Sequence, residues 1–142
     1  MSLVLDASMA LAWRFKRLDP GEIALAESAL RDIPILQAEV PAIWYAEVAN
    51  AVLRGERQGM ISPSETAYFL NELSQADIVA DEKSPRASLS GAVTLARTYG
   101  LTAYDATYLE LAIRDGAQLA TFDRKLADAA RAAGVIVFGD PR

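Results

Sequence analysis

Five short, mainly apolar segments alternate along this chain with longer segments whose apolar residues recur at helical spacing. The short segments, which are predicted to be strands, are Ser2–Leu5, Leu36–Val40, the residues around Ile78 and Val79, Leu119–Phe122 and Val135–Phe138. A strand with one face in water alternates apolar and polar residues, whereas a strand buried on both faces is apolar throughout. Alternation of such strands with helices is typical of a parallel sheet that helices cover on both faces. The pattern therefore predicts an α/β fold.

Seven helices are predicted between these strands from the spacing of apolar residues and from cap signals. They are Ala7–Phe15, Glu22–Arg31, a segment from Trp44 to near Gly59, a segment beginning at Ser62-Pro63, Leu89–Ala96, Asp105–Asp115 and Leu126–Ala133. Ser62, Pro63 and Glu65 form a clear start signal, with an N-cap, a proline at the first position and a capping-box glutamate. The length of 142 residues predicts one domain, residues 1–142.

Histidine and cysteine are both absent, which removes several kinds of catalytic chemistry. The chain has no imidazole base, no thiolate nucleophile and no thiolate ligand for zinc. Carboxylates remain as the main acid–base and metal-binding groups, and sets of oxygen ligands suit Mg²⁺ or Mn²⁺. The chain is therefore a candidate carboxylate–metal enzyme.

The net charge of −5 does not by itself exclude nucleic acid as a partner. If four of the 19 acidic residues bound metal, the other 15 would nearly balance the 14 basic residues. Local basic patches could then contact phosphates. The chain starts without the basic segment of a signal peptide and has no run of about 18 apolar residues that could cross a membrane. We therefore expect a cytoplasmic protein with no membrane partner.

Four acidic residues are candidate metal ligands because of their positions relative to the predicted strands and helices. They are Asp6, Glu47, Asp105 and Asp123. Asp6 and Asp123 each follow a predicted strand, and Asp105 begins a predicted helix. Ligands of open α/β sheets bind beyond the carboxyl ends of the strands, where these side chains would meet. Glu47 lies within the third helix, on a face that it shares with Asn50 and Arg54.

Each of the four acids also has an ordinary structural role open to it. Asp6 and Asp123 are in N-cap positions, and Asp105 matches a capping box with Thr102. Glu47 could form a surface ion pair with Arg54. Because N-caps are far commoner than catalytic acids, the residues taken one by one favour these roles. A metal site and a set of caps and surface charges both remain open at this point.

Four motifs around these acids resemble those of the PIN-domain family, specifically the small VapC-type toxin ribonucleases of prokaryotic toxin–antitoxin pairs. The motifs are Val4-Leu5-Asp6-Ala7-Ser8, Glu47-Val48-Ala49-Asn50-Ala51, Leu101-Thr102-Ala103-Tyr104-Asp105-Ala106 and Ala120-Thr121-Phe122-Asp123-Arg124-Lys125-Leu126. Each is short, but all four occur in the family's order across nearly the whole chain. The resemblance implies a three-layer α/β/α sandwich with a five-stranded parallel sheet, in which Val135 to Phe138 is the edge strand.

The resemblance also implies a function and a set of site residues. The family's acidic residues correspond to Asp6, Glu47, Asp105 and Asp123, which would bind Mg²⁺ or Mn²⁺, or in the case of Glu47 orient the attacking water. Ser8, Asn50 and Thr121 correspond to polar residues that support the site. The implied activity is metal-dependent hydrolysis of RNA phosphodiester bonds, in a homodimer that a cognate VapB-like antitoxin inhibits. The resemblance does not assign the residues that contact RNA, for which Arg14, Arg124 and Lys125 are candidates.

Two other functions are kept as alternatives. One is another Mg²⁺-dependent phosphoryl-transfer enzyme, such as a phosphatase or a receiver domain, although Asp81-Glu82-Lys83 after the third strand is a poor match to a receiver. The other is a non-catalytic PIN-fold binding module, whose aromatic residues would form an interface instead of core. A measurement of nuclease activity would separate the ribonuclease from both of these alternatives.

Overall fold

The computed structural model describes residues 1–141, and within them eight helices alternate with four strands. The strands are β1 (Leu3–Leu5), β2 (Ala38–Val40), β3 (Ile78–Ala80) and β4 (Gln118–Ala120). The helices are α1 (Ala7–Leu11), α2 (Pro20–Leu36), α3 (Ile43–Arg57), α4 (Pro63–Gln75), α5 (Ser84–Ala87), α6 (Gly91–Tyr99), α7 (Ala103–Asp115) and α8 (Arg124–Ala132). The single turn α5 was not predicted. No helix of residues 1–141 is both long and apolar enough to cross a membrane.

The strands form one parallel sheet in the order β3-β2-β1-β4. Leu3 of β1 pairs with Ala38 of β2 on one side and with Gln118 of β4 on the other. All three residues of β1 are fully buried, although successive side chains of a strand point to opposite faces. Helices therefore cover both faces of the sheet, and the predicted α/β architecture with a parallel sheet is confirmed.

The predicted fifth strand is reduced to a single bridge. Val137 pairs in parallel with Leu119, and the Leu119 backbone nitrogen donates to the Ile136 carbonyl at 2.9 Å. The chain turns away directly afterwards, since Asp140 N donates back to the Val137 carbonyl and Gly139 has a φ of 95°. The sheet of residues 1–141 thus has four strands and not five, because this turn leaves too little extended chain for a ladder.

The second helix extends further than predicted, and the strand that follows is shorter. Ala26, Ala29 and Ile33 are buried at helical spacing, so the apolar face of α2 continues beyond Arg31. Pro34 lies within the helix, which continues to Leu36. The turn into β2 is made at Gln37, a non-glycine residue with a φ of 61°.

Close packing of α3 against α1 brings the motif around Glu47 towards the motif around Asp6. α3 packs against α1, which begins directly after β1 and Asp6. Gly55 is buried in the last part of α3, and a Cβ atom there would lie only 2.9 Å from the Phe15 ring. The absence of a side chain at this position therefore allows α3 to approach the end of the first helical segment.

α7 contacts both strands and helices. It packs against β1 and β4 as well as α6 and α8, and its buried residues include Ala106, Tyr108 and Leu109. Because a helix that precedes a parallel strand runs antiparallel to it, the start of α7 lies near the carboxyl edge of the sheet. Asp105, in its first turn, is thereby placed on the same side as Asp6.

Candidate active site

Asp6 is the most buried of the four acids, with only 5% of its surface exposed. It directly follows β1, and its backbone nitrogen extends the ladder by donating to the Ala120 carbonyl at 3.0 Å. Its Oδ2 atom accepts hydrogen bonds from Ser8 Oγ and Thr121 Oγ1, both at 2.6 Å. Two residues that the sequence predicted as supporting groups thus fix the orientation of one buried carboxylate.

Asp123 combines a cap with a position at the site. It follows β4 and is the N-cap of α8, where Oδ1 accepts from the Leu126 backbone nitrogen at 2.9 Å. Its own backbone nitrogen donates to Thr121 Oγ1, the hydroxyl that also contacts Asp6. The cap engages one carboxylate oxygen, so the second can face a ligand. The structural and functional roles of Asp123 are therefore compatible.

Glu47 is held by a residue that the sequence reasoning missed. Tyr108 is buried in α7, and its hydroxyl donates to Glu47 Oε1 at 2.5 Å. Burial raises the pKa of Tyr108, which keeps the hydroxyl protonated and able to donate. One signal was available in the sequence: Tyr108 lies three residues after Asp105, on the same helical face.

Asp105 lies in the first turn of α7, where the Thr102 hydroxyl accepts from its backbone nitrogen at 3.1 Å. This bond uses the main chain of Asp105 and not its carboxylate. The Asp105 side chain lines the crevice described next. The cap predicted from Thr102 is thus formed without occupying the acidic group.

A single crevice of about 280 Å³ is lined by all four acids. Its other polar lining residues are Ser8, Asn50 and Arg54. Burial is the main cause that raises the pKa of Asp6, Glu47 and Asp105. Repulsion adds to it: Asp123 raises the pKa of Asp6 and Asp105, and Asp6 raises the pKa of Glu47 and Asp105. The acids therefore form one electrostatic cluster, which a cation would stabilise.

The donor set of the crevice suits a hard divalent cation. Every charged candidate ligand is a carboxylate, and hydroxyl and amide groups lie beside them. Within residues 1–141, no three acidic side chains converge closely enough to hold a metal ion as they stand. The carboxylates line the walls of the crevice, and their side chains would have to rotate to bind one ion together. The chemistry fits Mg²⁺ or Mn²⁺.

The candidate RNA-contacting residues are not all brought to the crevice. Arg14 forms an ion pair with Glu65 at 2.8 Å and lines a separate groove with Trp13 and Tyr68. Arg124 and Lys125 are exposed at the start of α8, next to Asp123, and the charge of Lys125 lowers the pKa of Asp105. Arg54, which the sequence suggested only as a surface partner of Glu47, instead lines the crevice itself.

A family model and a known protein each match most of this chain. The model of the PIN domain matches residues 3–132. The chain is 31% identical over 128 residues to ribonuclease VapC3 of Pyrobaculum aerophilum, covering 90% of this chain and 94% of that protein.

Solved structures show the same fold at lower identity. PAE2754 from Pyrobaculum aerophilum has a TM-score of 0.72 at 22% identity, over 97% of this chain and 90% of that one. A toxin–antitoxin complex from Klebsiella pneumoniae has a TM-score of 0.64 at 21% identity, over 99% and 100% of the two chains. FitAcB from Neisseria gonorrhoeae has a TM-score of 0.61 at 21% identity, over 96% of each. This chain, with its four acidic motifs gathered at one crevice, belongs to the PIN-domain family.

Proposed function

We propose that this protein is a VapC-like endoribonuclease that hydrolyses RNA phosphodiester bonds with Mg²⁺ or Mn²⁺ bound in the acidic crevice. The observation that supports it most is the meeting of four carboxylates, distant in sequence, around one crevice. Two of them, Asp6 and Glu47, are held by hydroxyl donors. Similarity to ribonuclease VapC3 supports RNA as the substrate.

The residues of the crevice have separable tasks in this proposal. Asp6, Asp105 and Asp123 would bind the metal, which when bound lowers the pKa of water and neutralises phosphoryl oxygens. Ser8 and Thr121 keep the Asp6 carboxylate in one orientation.

Glu47 is the fourth acid, and it serves either as a further ligand or as the group that orients the attacking water. In both cases the Tyr108 hydroxyl fixes its position. Asn50 and Arg54 line the crevice as donors for phosphate oxygens, and the guanidinium of Arg54 would offset part of the negative charge.

An antitoxin partner, a homodimer and a cytoplasmic location complete the proposal. The Klebsiella pneumoniae neighbour is a toxin–antitoxin complex, which supports an antitoxin for this chain. A groove of about 460 Å³ away from the crevice exposes Tyr68 beside Phe69 and Leu73, and an amphipathic segment of a partner would fit there. The same groove favours the binding module as the second candidate function.

The deciding experiment is cleavage of total cellular RNA by the purified protein in Mn²⁺ or Mg²⁺, with an EDTA control. We expect metal-dependent cutting that Asp6→Asn and Asp105→Asn abolish while the circular dichroism spectrum is retained. Asp32→Asn is the matched control, because Asp32 lies on α2 and does not line the crevice. Folded protein that neither cuts RNA nor binds metal would refute the nuclease and leave the binding module.

A further inference from the structure

A second groove adjoins the acidic crevice. It has a volume of about 440 Å³ and lies between the start of α2, with Asp19 and Glu22, and the start of α8, with Phe122 and Arg124. Asp123 lines both the groove and the crevice. A nucleotide next to a phosphate bound in the crevice would therefore extend into this groove.

Phe122 is the aromatic residue of the groove, and its surroundings fix its ring. The ring is partly buried against the core, and the Phe122 backbone nitrogen donates to Ser8 Oγ at 2.9 Å. The guanidinium carbon of Arg17 lies 4.5 Å from the ring centroid, in a cation–π contact. Arg17 is also held by Glu22, whose Oε2 accepts from Arg17 Nη2 at 3.2 Å. Phe122 lines the groove, and Arg17 holds its ring in place from outside the lining.

The charges of the groove disfavour a phosphate chain along its whole length. Asp19, Glu22, Asp123 and Asp128 are all among its lining residues. Carboxylates repel phosphates, but they accept hydrogen bonds from the amino groups of bases. Among residues 1–141, Arg124 is a lining cation without an ion pair, whereas Arg131 pairs with Asp128 and Asp140. One phosphate beside Arg124 and a base deeper in the groove would satisfy this pattern.

We propose that this groove binds an unstacked base of single-stranded RNA beside the scissile phosphate, with the Phe122 ring as the stacking surface and Arg17 as the residue that holds this ring. The inference rests on the proposed ribonuclease function, and it makes Phe122 a residue that positions the substrate. Unpaired RNA bases characteristically stack on aromatic rings or on arginine planes. Such stacking tolerates different bases, whereas the carboxylates at the edge would prefer bases with exposed amino groups.

The test compares two fluorescent 12-nucleotide RNAs, one with adenine bases and one with the same sugar–phosphate chain without bases. Their affinities for the full-length protein are measured by fluorescence anisotropy in EDTA, so that no cleavage occurs. We expect wild-type protein to prefer the adenine RNA, and Phe122→Ala to reduce that preference about tenfold. Phe122→Trp should keep it. Arg17→Ala, which leaves the core intact, should reduce it as well.

Two control variants separate stacking from charge and from loss of exposed aromatic surface. Arg124→Ala should weaken binding of both RNAs alike, because it contacts phosphate. Tyr68→Ala removes an aromatic residue that is 70% exposed in the other groove and should leave the preference unchanged. Wild-type protein that binds both RNAs equally, or Phe122→Ala and Arg17→Ala variants that keep the full preference, would overturn the proposal.

Cleavage of total RNA by the same preparations distinguishes failure of the base-binding proposal from failure of the proposed ribonuclease function. Metal-dependent cutting by wild-type protein together with an unchanged base preference in the variants would reject the base-binding groove alone. A base preference that depends on Phe122 without any cutting would retain the groove and reject the ribonuclease.

Discussion

At the scale of single residues, the site depends on hydroxyl groups that hold carboxylates. Ser8 and Thr121 contact the same oxygen of Asp6, and Tyr108 contacts Glu47. An ionised carboxylate buried without such donors would be costly, since burial favours the neutral acid. The hydroxyls therefore let the acids remain oriented in a partly buried crevice.

Removing one of these hydroxyls tests its contribution. Tyr108→Phe keeps the buried ring and deletes only the donor to Glu47. We expect kcat/KM for RNA cleavage to fall about tenfold, as is usual when a partner of a metal-site residue is lost. The free energy of unfolding should fall by about 1 kcal/mol.

The measurements are cleavage kinetics and urea denaturation, with Tyr68→Phe as the matched control on the exposed face of α4. Wild-type kinetics in Tyr108→Phe would show that the bond to Glu47 has no role in the reaction.

At the scale of elements, a second charged cluster joins α7 to the edge of the sheet. Arg114 of α7 donates to both Asp81 oxygens, at 3.0 and 2.7 Å, and to Glu110. This pairing lowers the pKa of Asp81 to about 2. Glu39 of β2 faces the same cluster, where burial and the neighbouring Asp115 and Asp81 raise its pKa to about 7. One Glu39 oxygen is buried without a hydrogen-bond partner.

Glu39 should make stability depend on pH. Its folded-state pKa of about 7 is above the value of 4.5 for a free glutamate, so the folded protein binds the proton more tightly. The contribution to stability is therefore complete below about pH 4.5 and is lost as the pH rises through 7. We expect a loss of about 1–2 kcal/mol over this range, because solvent screens part of the interaction.

Urea denaturation from pH 5 to 8, in EDTA, measures this dependence. Glu39→Gln should show a flatter pH profile and should be more stable than wild-type protein at pH 8. Glu27→Gln, an exposed position on α2, is the control for removing a glutamate charge. Parallel wild-type and Glu39→Gln profiles would contradict the assignment of this proton to Glu39.

At the scale of the whole molecule, the proposed metal binding in the acidic crevice would be linked to folding. The four acids come from segments that meet only when the sheet and α3 are assembled, and they repel one another there. A metal that binds the folded state alone stabilises it by about 2.7 kcal/mol at a concentration of 100 times its Kd. Mg²⁺ or Mn²⁺ should therefore raise the Tm.

Thermal denaturation with increasing metal concentration checks this prediction. Asp6→Asn and Asp123→Asn should reduce the shift, whereas Asp32→Asn should respond like wild-type protein. Asp6→Asn alone is expected to raise the Tm in EDTA or to leave it unchanged, since it removes a repulsive charge. An unchanged wild-type Tm at saturating metal would show that the carboxylates do not form a metal site.

The order of residues was enough to predict the class of the fold and the position of the acids along it. Buried strands and helical stripes are local patterns, so they predicted a parallel α/β sheet; residues after strands necessarily lie at its carboxyl edge. Asp6 and Asp123 were placed in this way. The four motifs predicted the PIN-domain family, which the comparison confirmed.

The contacts between distant segments became known only from the folded arrangement of the chain. The bond of Thr121 to Asp6 joins residues 115 positions apart, and that of Tyr108 to Glu47 joins residues 61 apart. The same applies to the loss of the fifth strand, which depends on a turn at Gly139, and to the cluster around Arg114. Such contacts depend on how helices pack on the sheet. No local periodicity encodes that packing, because each side chain's partners are set by the assembled core.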